Sequence, residues 1–222
     1  MSEIISRNRF VDPEADAYAA AHSMSPDEVQ LGLQAVTLEQ TGNWARMQIG
    51  NDQALLFEML GRAMGARRVV EIGTFTGYSA LALARGIGPE GHVLCLDISE
   101  EWTAIAREFW DKAGVGNRIE LRVGPALASL RALPMDEQFD LAFVDADKGG
   151  YLAYYEELIP RLRSGGLLLA DNTLQSGRVY DDEADDDDTR AIRIFNDRVA
   201  ADPRVQVVLM AIGDGVSFVQ KL

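Results

Sequence analysis

The stretch Phe139-Asp140-Leu141-Ala142-Phe143-Val144-Asp145-Ala146-Asp147-Lys148 is an apolar run that stops abruptly in two aspartates and a lysine. In an open α/β sheet such a run is a buried strand, and ligands sit outside the carboxyl ends of the strands, where Asp145, Asp147 and Lys148 would lie. A second run, Gly166-Leu167-Leu168-Leu169-Ala170-Asp171-Asn172, ends the same way. If the two strands are neighbours, Asp145, Asp171 and Asn172 converge on one point, which is the candidate active site.

Outward from this pair, strand and helix patterns alternate. Strands are expected over 68–72, 92–97, 119–123, 139–144 and 166–170, and helices over 78–85, 100–113, 126–133, 151–162 and 189–201. Repeated β-α-β units imply an α/β fold with a parallel sheet and right-handed crossovers. The chain closes with Val205–Met210, the turn Gly213-Asp214-Gly215 and Val216–Gln220, a hairpin that adds one antiparallel strand. Upstream, Leu55, Leu56, Met59, Leu60 and Ala63 follow the 3.6 period behind Asn51-Asp52, and Gly65 stops that helix. Residues 1–45 read as helical and accessory, with an Ala-rich helix over 12–22 and a second one opening at Ser25-Pro26-Asp27-Glu28, Ser25 being the N-cap. The connector Gly42–Gly50 carries Trp44 and Met47, which are either core residues or part of a flap over a ligand.

At 222 residues and 47% hydrophobic content the chain can bury one substantial core, so one domain is expected, with 1–45 preceding a catalytic core over 46–222. A net charge of −14 argues against nucleic acid or an anionic membrane as a partner. Met1–Phe10 lacks the apolar core of a signal peptide, and no stretch has the roughly 18 apolar residues of a membrane span, so a cytoplasmic location is expected. Cys95, inside Val93-Leu94-Cys95-Leu96, reads as a small buried hydrophobe. With only His22 and His92, a His-rich or Cys-rich zinc site is ruled out, and any metal must be held by oxygen. The acidic run 181–188 lacks the central glycine and closing glutamate of a calcium loop and reads as a solvated, mobile surface loop.

Glu71-Ile72-Gly73-Thr74-Phe75-Thr76-Gly77-Tyr78-Ser79 follows the first strand, and its two glycines allow a tight turn and close approach of a ligand. The G-x-x-x-G spacing misses the dinucleotide fingerprint, and an acidic residue beside it does not suit a pyrophosphate. Asp97, ending the second strand, can take both hydroxyls of a ribose. The sum is a nucleoside site without a diphosphate, which S-adenosylmethionine fits better than NAD. Asp145, Asp171 and Asn172 supply two carboxylates and an amide oxygen, a set suited to Mg²⁺, Ca²⁺ or Mn²⁺, and an octahedral Mg²⁺ would keep three positions for water or two adjacent aromatic hydroxyls. Lys148 is the natural general base if the site lowers its pKa. Two other readings are an NAD-dependent dehydrogenase and a non-catalytic binding protein that has kept the cofactor pocket.

The motifs Glu71–Ser79, Gly124-Pro125-Ala126, Val144–Lys148 with Tyr151, Asp171-Asn172 with Gly177, and Gly213-Asp214-Gly215 together resemble the cation-dependent class I O-methyltransferases of the caffeoyl-CoA O-methyltransferase type. The resemblance, over residues 45–222, implies a Rossmann-like fold with a seven-stranded, mostly parallel sheet whose last strand is antiparallel. It implies a metal on Asp145, Asp171 and Asn172 and a base at Lys148. For S-adenosylmethionine it implies Met47 and Ile49 in a flap, Glu71, Gly73, Thr74, Ser79, Asp97, Ala126, Asp145 and Asp147. Any contact of Ile49 would be through its backbone. A homodimer acting on a small aromatic diol is implied as well. Members usually carry tryptophan where this chain has Gln175; that tryptophan borders the acceptor, so Gln175, with Ser176 beside it, implies a more polar or roomier acceptor pocket.

Overall fold

Seven strands form one sheet: β1 (Arg68–Ile72), β2 (His92–Asp97), β3 (Ile119–Val123), β4 (Phe139–Val144), β5 (Leu162–Ala170), β6 (Val205–Met210) and β7 (Val216–Lys221). Their spatial order is β3-β2-β1-β4-β5-β7-β6. The computed structural model describes residues 10–136 and 139–222. The expectation drawn from Met1–Phe10 therefore falls almost wholly outside the described residues. The first five strands pair in parallel, and β7 inserts antiparallel between β5 and β6, so the closing hairpin joins the sheet through its second strand.

Helices cover both faces, and this is why the strands read as apolar runs rather than as alternating patterns. Successive residues of β1 go to opposite cores. Val69 packs with Leu33, Phe57, Leu81, Phe109 and Phe143 under α2 (Glu28–Thr41), α3 (Asn51–Met64), α4 (Tyr78–Gly86) and α5 (Glu100–Lys112). Val70 and Ile72 pack with Leu130, Tyr155, Leu158 and Phe195 under α6 (Ala126–Arg131), α7 (Tyr151–Arg161) and α8 (Asp187–Ala200). In contrast, α1 (Pro13–Ala21) buries no residue.

Three expectations are corrected. The N-cap of α2 is Asp27, which forms a capping box with Gln30, not Ser25; Pro26 disfavours helical geometry in the residue before it, so the helix starts beyond it. β5 begins four residues early, at Leu162, because Phe139 pairs with Leu162 before the register shifts. The acidic run is exposed yet tied down: Asp186 caps α8 and pairs with Arg178, Arg190 reaches Asp185 and Asp187, and Arg193 donates to the carbonyls of Arg178, Val179, Asp181 and Ala184.

Strand register builds one edge of the molecule. Ile72 stands opposite both Leu96 and Val144, and Val144 stands opposite Ala170. The next residue of each strand continues the ladder: Gly73 N–H donates to Leu96 O (2.9 Å), Asp145 N–H to Ile72 O (2.9 Å) and Asp171 N–H to Val144 O (3.0 Å). Asp97, Gly73, Asp145 and Asp171 thus stand in a row along the carboxyl-terminal rim.

Candidate active site

Because β4 and β5 are neighbours, the strand ends at Asp145 and Asp171-Asn172 meet. Lys148 lies on a short 3-10 turn (Lys148–Gly150) between β4 and α7. Its ammonium donates to Asp145 Oδ1 (3.0 Å), Asn172 Oδ1 (2.7 Å) and the Tyr151 hydroxyl (2.7 Å), using all three of its protons. Tyr151, one turn further on, is fully buried and donates in turn to the Asp171 carbonyl (3.0 Å). Burial works against the lysine's charge, but the Tyr151 oxygen and the Asp145 carboxylate outweigh it, and its pKa lies above the ordinary lysine value. The condition that the site lower it is not met in this arrangement, and Lys148 stands as a bound cation.

Asp171 is differently served. Its carboxylate accepts from Gln53 Nε2 (2.9 Å) and from the Asn172 backbone N–H (2.7 Å), and no lysine or arginine pairs with it among the described residues. Burial, then the charge of Asp145, pushes its pKa up to about 7. Asn172 holds a left-handed backbone (φ 54°), a conformation costing of order 1 kcal/mol or more and found where a site fixes it. The turn Gly213-Asp214-Gly215 supports this segment: Thr173 N–H donates to Gly215 O and Leu174 N–H to Asp214 O. Gly215 has no room for a side chain, since a Cβ would lie 2.5 Å from Leu174.

At the first strand end, Gly73 and Gly77 have φ of 86° and 84°. Both are packed against the protein itself: a Cβ on Gly73 would lie 1.9 Å from the Asp145 carbonyl, and one on Gly77 2.5 Å from Ala106. Their smallness lets the turn rest on β4 and α5, in addition to any ligand approach. Asp97 holds the turn from the other side, accepting from the N–H groups of Thr74 (2.7 Å), Phe75 (2.8 Å) and Ser99 (2.8 Å). Glu71 is fully buried, and burial pushes its pKa up to about 7 against the smaller effects of neighbouring Ser79, Thr74 and Cys95. Cys95 is buried as expected, though its thiol also reaches Glu71 Oε2 (3.4 Å). Two buried oxygens at this turn, Glu71 Oε1 and Thr74 Oγ1, have no hydrogen-bond partner among the described residues. Such orphaned groups cost about 1–3 kcal/mol each unless a ligand meets them.

The family model described as O-methyltransferase matches residues 20–222. The chain belongs to this O-methyltransferase family. It is 38% identical to a probable caffeoyl-CoA O-methyltransferase 2 of Dictyostelium discoideum, over 92% of this chain and 90% of that one. It is 36% identical to a flavonoid 3',5'-methyltransferase of Vitis vinifera, over 94% and 91%. Among solved structures, the O-methyltransferase from Bacillus cereus in complex with SAH superposes with a TM-score of 0.86 at 31% identity, covering 94% of this chain and 97% of that one. The protein is therefore an S-adenosylmethionine-dependent O-methyltransferase of the caffeoyl-CoA type, and its sheet is the Rossmann-like sheet the resemblance implied.

Asp147 precedes the 3-10 turn and accepts from the Tyr154 hydroxyl (2.5 Å). Ala126 is the first residue of α6 and is buried; Ser79 is buried on α4. In the connector, Ile49 packs into the core while Met47 is 40% and Trp44 54% exposed, so neither of its two large apolar residues is a core residue. Gln175 and Ser176 both have left-handed backbone. The Gln175 amide folds back to donate to Asn172 O (3.1 Å), and Ser176 N–H donates to Asp214 Oδ1 (2.6 Å). Gln53 is the site residue that sequence reasoning missed, and it had no signal. Tyr151 stands in the motif with Lys148, but the sequence assigns it no role.

The N-terminal segment is also less accessory than expected. Thr37 of α2 donates to the Thr76 hydroxyl (2.8 Å) in the glycine turn, and Gln48 Nε2 bridges to both. Gln34 donates to the Tyr78 hydroxyl (3.1 Å) at the start of α4.

Proposed function

We propose that this O-methyltransferase moves the methyl group of S-adenosylmethionine to one hydroxyl of a catechol-like aromatic, with a divalent cation such as Mg²⁺, Ca²⁺ or Mn²⁺ in its site. The observation that carries the reading is the shared cation at the rim: one ammonium already sits between Asp145 Oδ1 and Asn172 Oδ1, while the adjacent Asp171 carboxylate is hydrogen-bonded to no lysine or arginine among the described residues. Three oxygen donors around surplus negative charge match a hard cation. A bound cation would supply chelation of two vicinal oxygens and lower the phenol pKa from near 10.

The chain's own residues would do the rest. Glu71 Oε1 and Thr74 Oγ1 would offer hydrogen-bond sites to the cofactor, Asp97 would receive its ribose, and Asp147 would serve its methionine part. Lys148 could take the phenolic proton only after giving up one of its own to water, which becomes easier once Asp145 and Asn172 are engaged elsewhere, because those two oxygens help hold the ammonium protons. Placing the nucleophile in line with the methyl donor is the main contribution, worth up to roughly 7–11 kcal/mol in well-oriented cases.

The relatives named for caffeoyl-CoA and flavonoid acceptors support an aromatic acceptor with adjacent oxygens. Radiolabelled methyl transfer from S-adenosylmethionine to a panel of catechols, with and without EDTA, tests the reading. Methylated catechol that disappears on chelation and returns with Mg²⁺ is expected. Full activity in excess EDTA would remove the cation from the proposal.

A further inference from the structure

Gln53 lies in the first turn of α3, is 3% exposed, and reaches across 118 positions of sequence to Asp171. Its Nε2 donates to Oδ2, and the Asn172 backbone N–H donates to Oδ1, so one donor on each oxygen defines the carboxylate plane. No other side chain of the described residues is in position to do this: all three Lys148 protons are spent on Asp145, Tyr151 and Asn172, and Tyr151 donates to the Asp171 carbonyl, not to its carboxylate. The far end of the amide is accommodated too, since Gly213 is held with φ +57° and a Cβ there would lie 3.1 Å from Gln53 Oε1.

We propose that Gln53 is the positioning residue of the cation site. Its amide, with the Asn172 N–H, holds the Asp171 carboxylate in one orientation and leaves one further acceptor direction on each oxygen, so the plane of the carboxylate is set before the ion arrives. Supporting partners of ligating carboxylates act in this way, and losing one typically costs about 10- to 100-fold in metal affinity. A neutral amide suits the task because it adds no charge: a lysine would neutralise the carboxylate and compete with the ion. The same stretch of chain carries Gln48, bonded to Thr76 in the glycine turn, so residues 48–53 brace the cofactor turn at one end and the cation ligand at the other.

The proposal rests on the cation reading above, and the test keeps the two apart. Mn²⁺ binding is titrated by electron paramagnetic resonance on the full-length wild type, Gln53→Leu and Gln53→Asn. S-adenosylmethionine binding is measured by calorimetry in EDTA, and folding by thermal denaturation. Leucine has nearly the same volume without a donor; asparagine keeps the amide but falls short of Asp171 and covers the case in which leucine unfolds the protein. Expected are S-adenosylmethionine affinities within about twofold of wild type, Mn²⁺ affinity reduced roughly 10-fold or more, and a raised Mn²⁺ activation constant with kcat largely restored at saturating metal. Folded variants that bind Mn²⁺ as tightly as wild type overturn the role of Gln53 while leaving the cation site intact. A wild type that binds no Mn²⁺ overturns the cation reading and this role with it.

Discussion

Strand β4 has an aspartate near each end, Asp140 as its second residue and Asp145 just after its last, and the two are treated in opposite ways. Asp140, at the amino-terminal end, accepts from the backbone N–H groups of Arg67 (2.8 Å) and Arg68 (2.9 Å) and from Arg163 Nε (2.7 Å). Against the opposing effect of burial, these donors hold its pKa below the usual carboxylate range. At the other end, Asp145 shares a single ammonium with Asn172, and its neighbour Asp171 is pushed up to about 7. A structural carboxylate is matched by donors until its charge is fully used. The carboxyl-terminal rim keeps a surplus of negative charge, and surplus charge is what a cation or a cationic cofactor can be recruited to.

This contrast can be broken experimentally. Asp171→Ala should lower kcat/KM by about a thousandfold, the several kcal/mol a Lewis acid supplies, whereas Asp140→Ala should leave kcat of the folded fraction within about twofold. Equal losses at both ends would erase the distinction. Next in size, Lys148→Met should lower kcat by roughly a hundredfold with little change in the KM for S-adenosylmethionine. A steady-state series showing an unchanged kcat would remove Lys148 as the base.

Glu71 sharpens the comparison through stability. Its carboxyl ionises near 4.5 when unfolded and near 7 in the fold. Between those values the native state holds the extra proton, so its contribution to stability falls as pH rises and levels off above 7. The shift corresponds to roughly 3 kcal/mol. Glu71→Gln should therefore gain stability relative to wild type across that window, read from urea melts at pH 4.5 and pH 8. An unchanged difference between the two pH values would mean that the native carboxyl ionises normally.

The smallest effect belongs to Asp140, whose depressed pKa has the opposite sign. Its stabilisation is present above the unfolded carboxylate pKa and is lost as pH falls through the folded value. Asp140→Ala should cost about 1–3 kcal/mol at pH 7 and progressively less toward pH 2–3 in the same melts. A pH-independent cost would assign the effect to packing.

Much of this was legible in the chain. Five strands, β1 to β4 and β6, have the boundaries their apolar runs suggest, and Asp145, Asp171 and Asn172 follow directly from where two of those runs stop. What escaped has a common character. The Arg178, Arg190 and Arg193 contacts turn a seemingly loose acidic run into a fastened one, and the Gln175 amide is tied to the Asn172 carbonyl. Gly73 and Gly77, which the sequence offers as room for a ligand, are equally room for β4 and α5.

Apolar periodicity, glycine and proline placement and strand-end carboxylates act through neighbours a few residues apart, so the sequence by itself determined the elements, their alternation and the residue types at the rim. Charge balance depends on donors that arrive from distant segments. That Asp140 is satisfied, that Asp171 rests on Gln53, and that Lys148 is held as a cation were decided only by tertiary structure, because side-chain orientation and desolvation exist only once the sheet and its helices have packed.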